Sequence, residues 1–432
     1  VISVNENRPI QFRNTEPNDP FYSEQWHYEK IGLPQMWDYT TGGQTTNGDE
    51  IVVAVVDSGF NTNHPDFAGQ IFETIDFANQ PNARHGTAVT GFIGAKGNNE
   101  EGITGVNWDI QLLLMSAHFE DEIAEAYLHA YNQRKLYNET NGDEGAFIVA
   151  VNGSFGFKNS NCSQFPVLRD LLDELGSVGI LYIGAAPNED VNINLRGDFP
   201  TECPSDYLIT VTSTTIDDER SDDAAFGNIT VDLGAPGSGV FTTNQSGGYQ
   251  IETGGGTSYA TPHVSGAVAL LYSVPCEKLA TAALTNPAET ALLVKEAILN
   301  GVDEVPDLQN QVVSNGRLNV FNSMNHIHGY CIAHEEEVDF EDTYLYDKGL
   351  VRLYPNPADD FIKLDYAVTD FKEVTVKVYN VLGQLMHQES TTPIPFENQS
   401  LEIGIAGWSN GTYFITILGF EKAATMRFIK AQ

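Results

Sequence analysis

The 432-residue sequence predicts an α/β fold: a doubly wound, mostly parallel sheet with helices on both faces, followed by a small all-β sandwich. Two observations predict the first part. Short, β-branched apolar runs alternate with segments of helical period between Ile51 and Leu299, and alternation of that kind gives parallel strands joined by crossover helices. The runs are also apolar throughout, as strands covered on both faces are. A third observation predicts the second part. Beyond residue 350 the apolar residues recur with period two, and turn residues separate the segments.

In chain order, residues 1–16 are polar and proline-containing and read as an extended arm. Ile51–Val56 is a buried strand ending in the turn Asp57-Ser58-Gly59. His85–Gly94 reads as a helix with small residues on one face. Leu112–Met115 is a strand and Ile123–Tyr137 a helix. Phe147–Val151 is a strand running into Asn152-Gly153-Ser154-Phe155-Gly156. Val167–Leu175 is helical, Ile180–Ile183 and Leu208–Val211 are strands, and an acidic loop covers Asp217–Asp223. Thr257–Ser273 is a long apolar helix and Thr290–Leu299 another. Sites in such folds lie beyond the carboxyl ends of the strands, where Asp57 and Ser154 fall.

Residues 334–349 are acidic without a clear period and read as a linker, giving domains at 17–333 and 350–432. The second domain has strands at Phe361–Tyr366, Val374–Tyr379, Leu401–Ile405 and Tyr413–Leu418, with turns such as Pro355-Asn356-Pro357 between them. A charge break coincides with this boundary. Residues 350–432 hold seven basic and nine acidic side chains, against fifteen and fifty in the rest.

The net charge of −37 disfavours binding to nucleic acid or to an anionic membrane surface. No apolar run is long enough to span a bilayer. The four cysteines form no CxxC, so zinc and thioredoxin-like chemistry lack support. They allow three disulfide connectivities. Cys162–Cys203 with Cys276–Cys331 keeps each loop local; four buried thiols are the alternative, and export favours the bridges. No signal peptide is visible, and the chain does not begin with Met, so its start is expected to be processed or truncated.

Three segments carry chemistry together: Val53-Ala54-Val55-Val56-Asp57-Ser58-Gly59, His85-Gly86-Thr87, and Gly256-Thr257-Ser258-Tyr259-Ala260-Thr261-Pro262-His263. A serine hydroxyl is a weak nucleophile at neutral pH. It needs an imidazole to take its proton and a carboxylate to fix the imidazole tautomer. Ser258 opens a helix behind Gly254–Gly256, which exposes its hydroxyl and places it at the positive end of the helix dipole. Singly, each segment reads as a turn, a helix start or an N-cap. Jointly, in the order Asp, His, Ser, they read as an activated nucleophile.

In these motifs the chain resembles the subtilisin-like serine proteases over about residues 17–330. The resemblance implies Asp57 as orienter, His85 as general base and acid, and Ser258 as nucleophile. It also implies Asn188 and the Ser258 N–H as oxyanion donors. Ser154-Phe155-Gly156 is similar to the strand that pairs with substrate backbone. Three positions depart from the pattern: Pro187 stands where the family has glycine, Ala88 follows His-Gly-Thr in place of His, and Tyr259 follows the nucleophile in place of Met.

The resemblance further implies a structural calcium ion held by Asp19, Asp66 and Asn99, with an Asx-rich turn as the plainer reading. No organic cofactor is expected. Residues 1–14 are similar in position to the tail of an inhibitory pro-segment. His64 reads as a loop residue, His263 as a packing residue, and His326, His328 and His334 as a sparse, solvated loop cluster open to metal. Glu189 and Asp190 leave room for a preference for basic substrates within an otherwise broad, apolar specificity.

Residues 350–432 resemble the C-terminal sorting domain of type IX secretion substrates, found in Bacteroidota. Leu353-Tyr354-Pro355-Asn356-Pro357-Ala358, Val378-Tyr379-Asn380-Val381-Leu382-Gly383-Gln384, Gly411-Thr412-Tyr413 and Phe428-Ile429-Lys430 carry that likeness. A binding sandwich displaying an exposed aromatic, Trp408, is the alternative. The expectation is therefore a secreted or cell-surface monomeric endopeptidase acting on polypeptides and engaging the type IX machinery through its tail. The rivals are a catalytically silent adhesion protein on the same scaffold and an esterase using the same triad.

Overall fold

The computed structural model describes residues 15–78, 82–157, 160–254, 256–332, 343–346, 349–354, 358–366, 374–380, 383–392, 399–418 and 424–431. Residues 1–14 of the expected arm, most of the stretch expected as linker, the Pro355–Pro357 turn, Gly255 and His334 lie outside them. The chain divides into two compact units, 1–327 and 328–432.

The strands of the first unit are β1 (Ile51–Asp57), β2 (Ile71–Asp76), β3 (Gln111–Ser116), β4 (Phe147–Gly153), β5 (Leu181–Ala185), β6 (Leu208–Thr214), β7 (Leu233–Pro236), the hairpin β8 (Val240–Thr243) and β9 (Tyr249–Glu252), and the short β10 (Asp303–Glu304) and β11 (Gly316–Arg317). All but the hairpin form one sheet in the order β10-β11-β7-β6-β5-β4-β1-β3-β2. Its pairings are parallel except β10 with β11. Every residue of β1, β4, β5, β6 and β7 is buried. That burial is why these strands read as continuous apolar runs. β2 alternates between half-buried and exposed residues, because it is the edge strand. Its polar alternate residues hid it from a search for apolar runs.

The helices are α1 (Trp26–Lys30), α2 (Leu33–Trp37), α3 (Ala83–Gly94), α4 (Glu120–Thr140), α5 (Pro166–Ser177), α6 (Ile193–Arg196), α7 (Thr257–Tyr272), α8 (Glu277–Thr285), α9 (Pro287–Asn300) and α10 (Val320–Ile332). None is by itself long and apolar enough to cross a membrane, among the described residues. α3 starts at Asn82, whose Oδ1 accepts from Arg84 N at 3.3 Å. Its small residues permit close packing. A Cβ on Gly86 would sit 2.4 Å from Gly59 O, and one on Gly91 would clash with Thr242 and Thr243 of β8. The glycine beside His85 thus lets the helix press against the end of β1. α7 is the buried central helix; Ser258 is its one residue that is only half-buried.

His326 and His328 lie on α10 rather than in a loop, and among the described residues no group of three or more His, Cys, Asp or Glu could hold a metal. Cys162 and Cys203 are bonded as expected. Cys276 and Cys331 are disulfide-bonded too, and no cysteine is free.

The second unit is antiparallel. β12 (Thr343–Tyr346), β13 (Gly349–Tyr354), β14 (Phe361–Tyr366) and β17 (Gln399–Gly404) form one sheet. β16 (Leu385–Thr391), β15 (Val374–Asn380), β18 (Gly411–Leu418) and β19 (Ala424–Lys430) form the other. Ile362, Leu364 and Ile403 of the first sheet share a core with Val376, Ile415 and Phe428 of the second. The expected sandwich is therefore present. Two details differ. β12 falls inside the stretch expected as linker, because Thr-Tyr-Leu-Tyr has strand-forming residues that acidic flanks obscured. Trp408 is half-buried against the core and packs on Tyr413 with centroids 5.0 Å apart, so it is no exposed binding platform.

Candidate active site

β1 ends at Asp57, which is 4% exposed. Its carboxylate meets His85 Nδ1 with both oxygens, at 2.9 and 2.8 Å, and Oδ1 also accepts from Ser58 N at 2.7 Å. This bond fixes the tautomer: the proton sits on Nδ1, and Nε2 is left as the base. Burial opposes charge on His85, but the adjacent Asp57 carboxylate, with Glu252 behind it, outweighs burial and raises its pKa above the usual histidine value. Arg84 works in the opposite direction.

Ser258 lies in the first turn of α7. Its Oγ donates to Ser154 O at 3.1 Å, and no hydrogen bond joins it to His85. The next residue, Tyr259, packs its ring 5.7 Å from the His85 ring. Asp57, His85, Ser154, Phe155 and Gly156 line one open cleft of about 240 Å³. Ser154 is buried and Gly156 exposed, so the segment presents backbone at the cleft edge.

Asn188 follows β5. Its Oδ1 accepts from Thr257 N at 3.1 Å and from Thr257 Oγ1 at 2.7 Å. One orphan N–H at the start of α7 is thereby satisfied, and Asn188 itself is exposed. Pro187 anchors this turn through its carbonyl, which accepts from Ala225 N at 2.9 Å. Ala88, the second departure, is fully buried, and its carbonyl accepts from Thr242 Oγ1 at 2.8 Å. Tyr259, the third, is hydrogen-bonded through its hydroxyl to Glu252, and burial and that carboxylate push the phenol up.

Residues that sequence reasoning missed lie behind these groups. Asn152 Nδ2 donates to Ser154 Oγ at 3.0 Å, and its Oδ1 accepts from Ser265 Oγ at 2.8 Å. Ser154 Oγ in turn donates to Ser258 O at 2.8 Å. Pro262, four residues after Ser258, was the available signal: it has no N–H, so the Ser258 carbonyl lacks its helical partner and takes a side chain instead. Glu252 gave no signal, since it reaches the site from a separate hairpin.

Glu189 and Asp190 do not stand free as basic-substrate ligands. Glu189 pairs with Arg196 and Asp190 with Arg220. His64 is 2% exposed and bridges Asp66 N and Gly248 O, away from the triad. His263 is fully buried; it contacts Tyr259 O and His27 Nδ1, each at 2.8 Å.

Asp19, Asp66 and Asn99 meet at the loop 97–104. Asp19 Oδ2 accepts from Asn98 N at 2.7 Å, and Asp66 Oδ2 from Ile103 N at 3.1 Å. Asn99 and Tyr249 side chains bond to Asp66, whose Oδ1 is buried without a partner. Burial raises the Asp19 carboxyl and pushes Asp66 up to about 6.

Residues 48–326 match the family model described as the subtilase family, and residues 352–431 match the secretion system C-terminal sorting domain. The chain is 30% identical over 265 residues to thermitase of Thermoactinomyces vulgaris, covering 60% of this chain and 85% of that protein. It is 29% identical over 328 residues to an extracellular protease of Xanthomonas campestris, covering 65% of this chain and 53% of that protein. It thus spans about half the length of the second relative. Among solved structures, a protease of Pseudoalteromonas arctica aligns with a TM-score of 0.55 at 23% identity, covering 72% of this chain and all of that one. The prenylagaramide maturation protease PagA aligns at 0.53 and 22%, covering 69% and 99%. These likenesses match the nine-stranded fold. The chain belongs to the subtilase family: it is a subtilisin-like serine peptidase that carries a C-terminal secretion sorting domain and is destined for the cell surface or beyond.

Proposed function

We propose that this peptidase is an endopeptidase that cleaves polypeptides through Asp57, His85 and Ser258. The observation that carries the reading is the two-oxygen grip of Asp57 on His85 Nδ1. Substrate backbone pairs with Ser154-Phe155-Gly156. Ser258 Oγ leaves Ser154 O, gives its proton to His85 Nε2 and attacks the scissile carbonyl. Asp57 stabilises the imidazolium. The oxyanion receives hydrogen bonds from the Asn188 amide and the Ser258 N–H. His85 then protonates the leaving amine, the C–N bond breaks, and Ser258 holds the acyl group. Water, deprotonated by His85, releases the acid and restores the serine.

A calcium ion suits Asp19, Asp66 and Asn99. The buried, unpartnered Asp66 Oδ1 and the neighbouring Asp19 carboxylate form a hard-oxygen donor set without a cation of their own. Calcium would tie the N-terminal segment to the loop 97–104 and take no part in the chemistry. The tail would engage the type IX machinery, and the catalytic unit would act as a monomer.

The test is fluorophosphonate labelling with peptide mapping, beside casein hydrolysis, for wild type and Ser258→Ala. Label on Ser258 and loss of casein cleavage in the variant are expected. A folded, unlabelled, inactive wild type would overturn the reading in favour of a silent binding scaffold. Ester turnover without peptide turnover would make it an esterase.

A further inference from the structure

Asp57 grips His85 at Nδ1 alone, and the His85 side chain is 34% exposed. A ring pinned at one nitrogen can still rock about that bond. The neighbour that limits such motion is Tyr259, the residue after Ser258. Its ring centre lies 5.7 Å from that of His85, with the two planes tilted by 37°. Tyr259 is 8% exposed, and Phe92 of α3 also packs on its ring.

The Tyr259 hydroxyl is bonded to Glu252, which is 6% exposed and also accepts from Gln250 Nε2. Both partners are neutral, so neither cancels the carboxylate charge. Glu252 is itself firmly placed. It pairs with Val240 across the hairpin of β8 and β9, and Gly239 N donates to its carbonyl at 2.8 Å. Thr242 and Thr243 of that hairpin donate to Ala88 O and Thr87 O of α3, the helix that carries His85. Hairpin, α3 and the start of α7 thus form one frame around the imidazole.

An aromatic face attracts a cation lying within about 6 Å of its centre and is nearly indifferent to a neutral ring. A phenol that donates to a carboxylate is polarised, which makes its ring a better partner for positive charge. The unit therefore distinguishes imidazolium from imidazole. The reaction turns one into the other, so the attraction is realised where it lowers the barrier.

We propose that Tyr259 is a positioning residue for His85, held in that role by Glu252: its ring steadies the imidazole and favours the protonated form that the reaction creates. The assignment rests on the triad reading above. The Met of the family pattern has neither the negative face nor the hydroxyl. The charged groups around His85 are Asp57 on β1, Glu252 on β9 and Arg84 on its own helix. His118 lines the same cleft. His263 and His27 lie beyond Tyr259, and burial keeps both uncharged near neutrality.

The experiment measures kcat, KM and the acid limb of kcat/KM on one quenched peptide. It compares wild type, Tyr259→Leu, Tyr259→Phe, Glu252→Gln and the double variant Tyr259→Leu with Glu252→Gln. Tyr259→Leu should lower kcat about five- to thirtyfold with KM little changed. Its acid limb should move to lower pH, because the imidazolium has lost its support. Tyr259→Phe keeps the ring and should recover most of both effects. Glu252→Gln should move the limb less in the leucine background than alone. If Tyr259→Leu does not fold, Tyr259→Met carries the same expectation. A fall in kcat with an unmoved limb is what packing alone gives, and it overturns the assignment, as does a leucine variant equal to wild type. Additive limb shifts overturn the part given to Glu252. Fluorophosphonate labelling of Ser258, with melting, checks that each variant is folded. A folded wild type that is unlabelled and cleaves no peptide overturns the triad reading and this assignment with it.

Discussion

Ser154 and Ser258 hold each other by two hydrogen bonds that run in opposite directions. Ser154 Oγ donates to Ser258 O at 2.8 Å, and Ser258 Oγ donates to Ser154 O at 3.1 Å. The first bond exists because Pro262 cannot donate to the carbonyl four residues back. Ser154→Ala should leave that buried carbonyl unpaired and cost about 1–3 kcal/mol. Adding Pro262→Ala restores a helical N–H and should recover much of the loss. Melting of the four combinations in a Ser258→Ala background reads this coupling. Additive losses would mean that the proline does not govern the bond.

Asn188 holds Thr257 through Oδ1, and in the proposed mechanism its NH₂ also serves the oxyanion. Asn188→Ala should lower kcat on the order of a hundred- to thousandfold and destabilise the start of α7. Asn188→Asp keeps both bonds donated by Thr257, so it should melt near wild type while losing at least as much turnover. Steady-state kinetics beside calorimetry separate the two.

In the proposed mechanism His85 must be neutral to take the serine proton, so kcat/KM should rise with pH through a His85 pKa lying above the ordinary histidine value. Glu252 helps to hold that pKa up and Arg84 holds it down. Glu252→Gln should therefore move the acid limb to lower pH, and Arg84→Gln should move it to higher pH. Identical limbs in all three proteins would remove both residues from the site's electrostatics.

His27 and His263 are fully buried, and burial depresses both, His263 to about 4. His263 Nδ1 donates to Tyr259 O, which leaves its Nε2 to accept from His27 Nδ1. A depressed histidine gives stability that is present above its unfolded pKa near 6.5 and lost as pH falls toward the folded value. For His263 a shift of that size contributes about 3 kcal/mol, and His27 adds to it in the same direction. Melting temperature in the Ser258→Ala background should fall steeply between pH 6.5 and 4. His263→Gln should lower the plateau and flatten the fall.

Chelation offers the test of the loop 97–104. With calcium bound, EDTA should lower the melting temperature by several degrees and speed self-digestion, and Asp66→Asn should abolish the effect of EDTA. A chelator-insensitive wild type would reduce the cluster to an Asx-rich turn.

Much of this was open to reading. The continuous apolar runs of β1, β4, β5 and β6 announced a sheet covered on both faces. Asp57, His85 and Ser258 sit in local signatures whose glycines and strand ends are visible without coordinates. The edge strand β2 and the hairpin of β8 and β9 were not visible, because their polar residues carry no clear period. The ion pairs that neutralise Glu189 and Asp190 were hidden as well: their partners, Arg196 and Arg220, are named by loop geometry rather than by spacing.

The sequence by itself determined the peptidase family, the order of the Asp, His and Ser motifs and the two-part build, because each rests on short contiguous runs. Only the tertiary structure decided what surrounds those groups. Glu252 reaches His85 from a hairpin, and Ser154 relieves a carbonyl freed by Pro262. These relations join residues more than a hundred positions apart. A sequence states which hydrogen-bonding and charged groups exist; burial and distance, which set what each is worth, appear only when the chain has closed on itself.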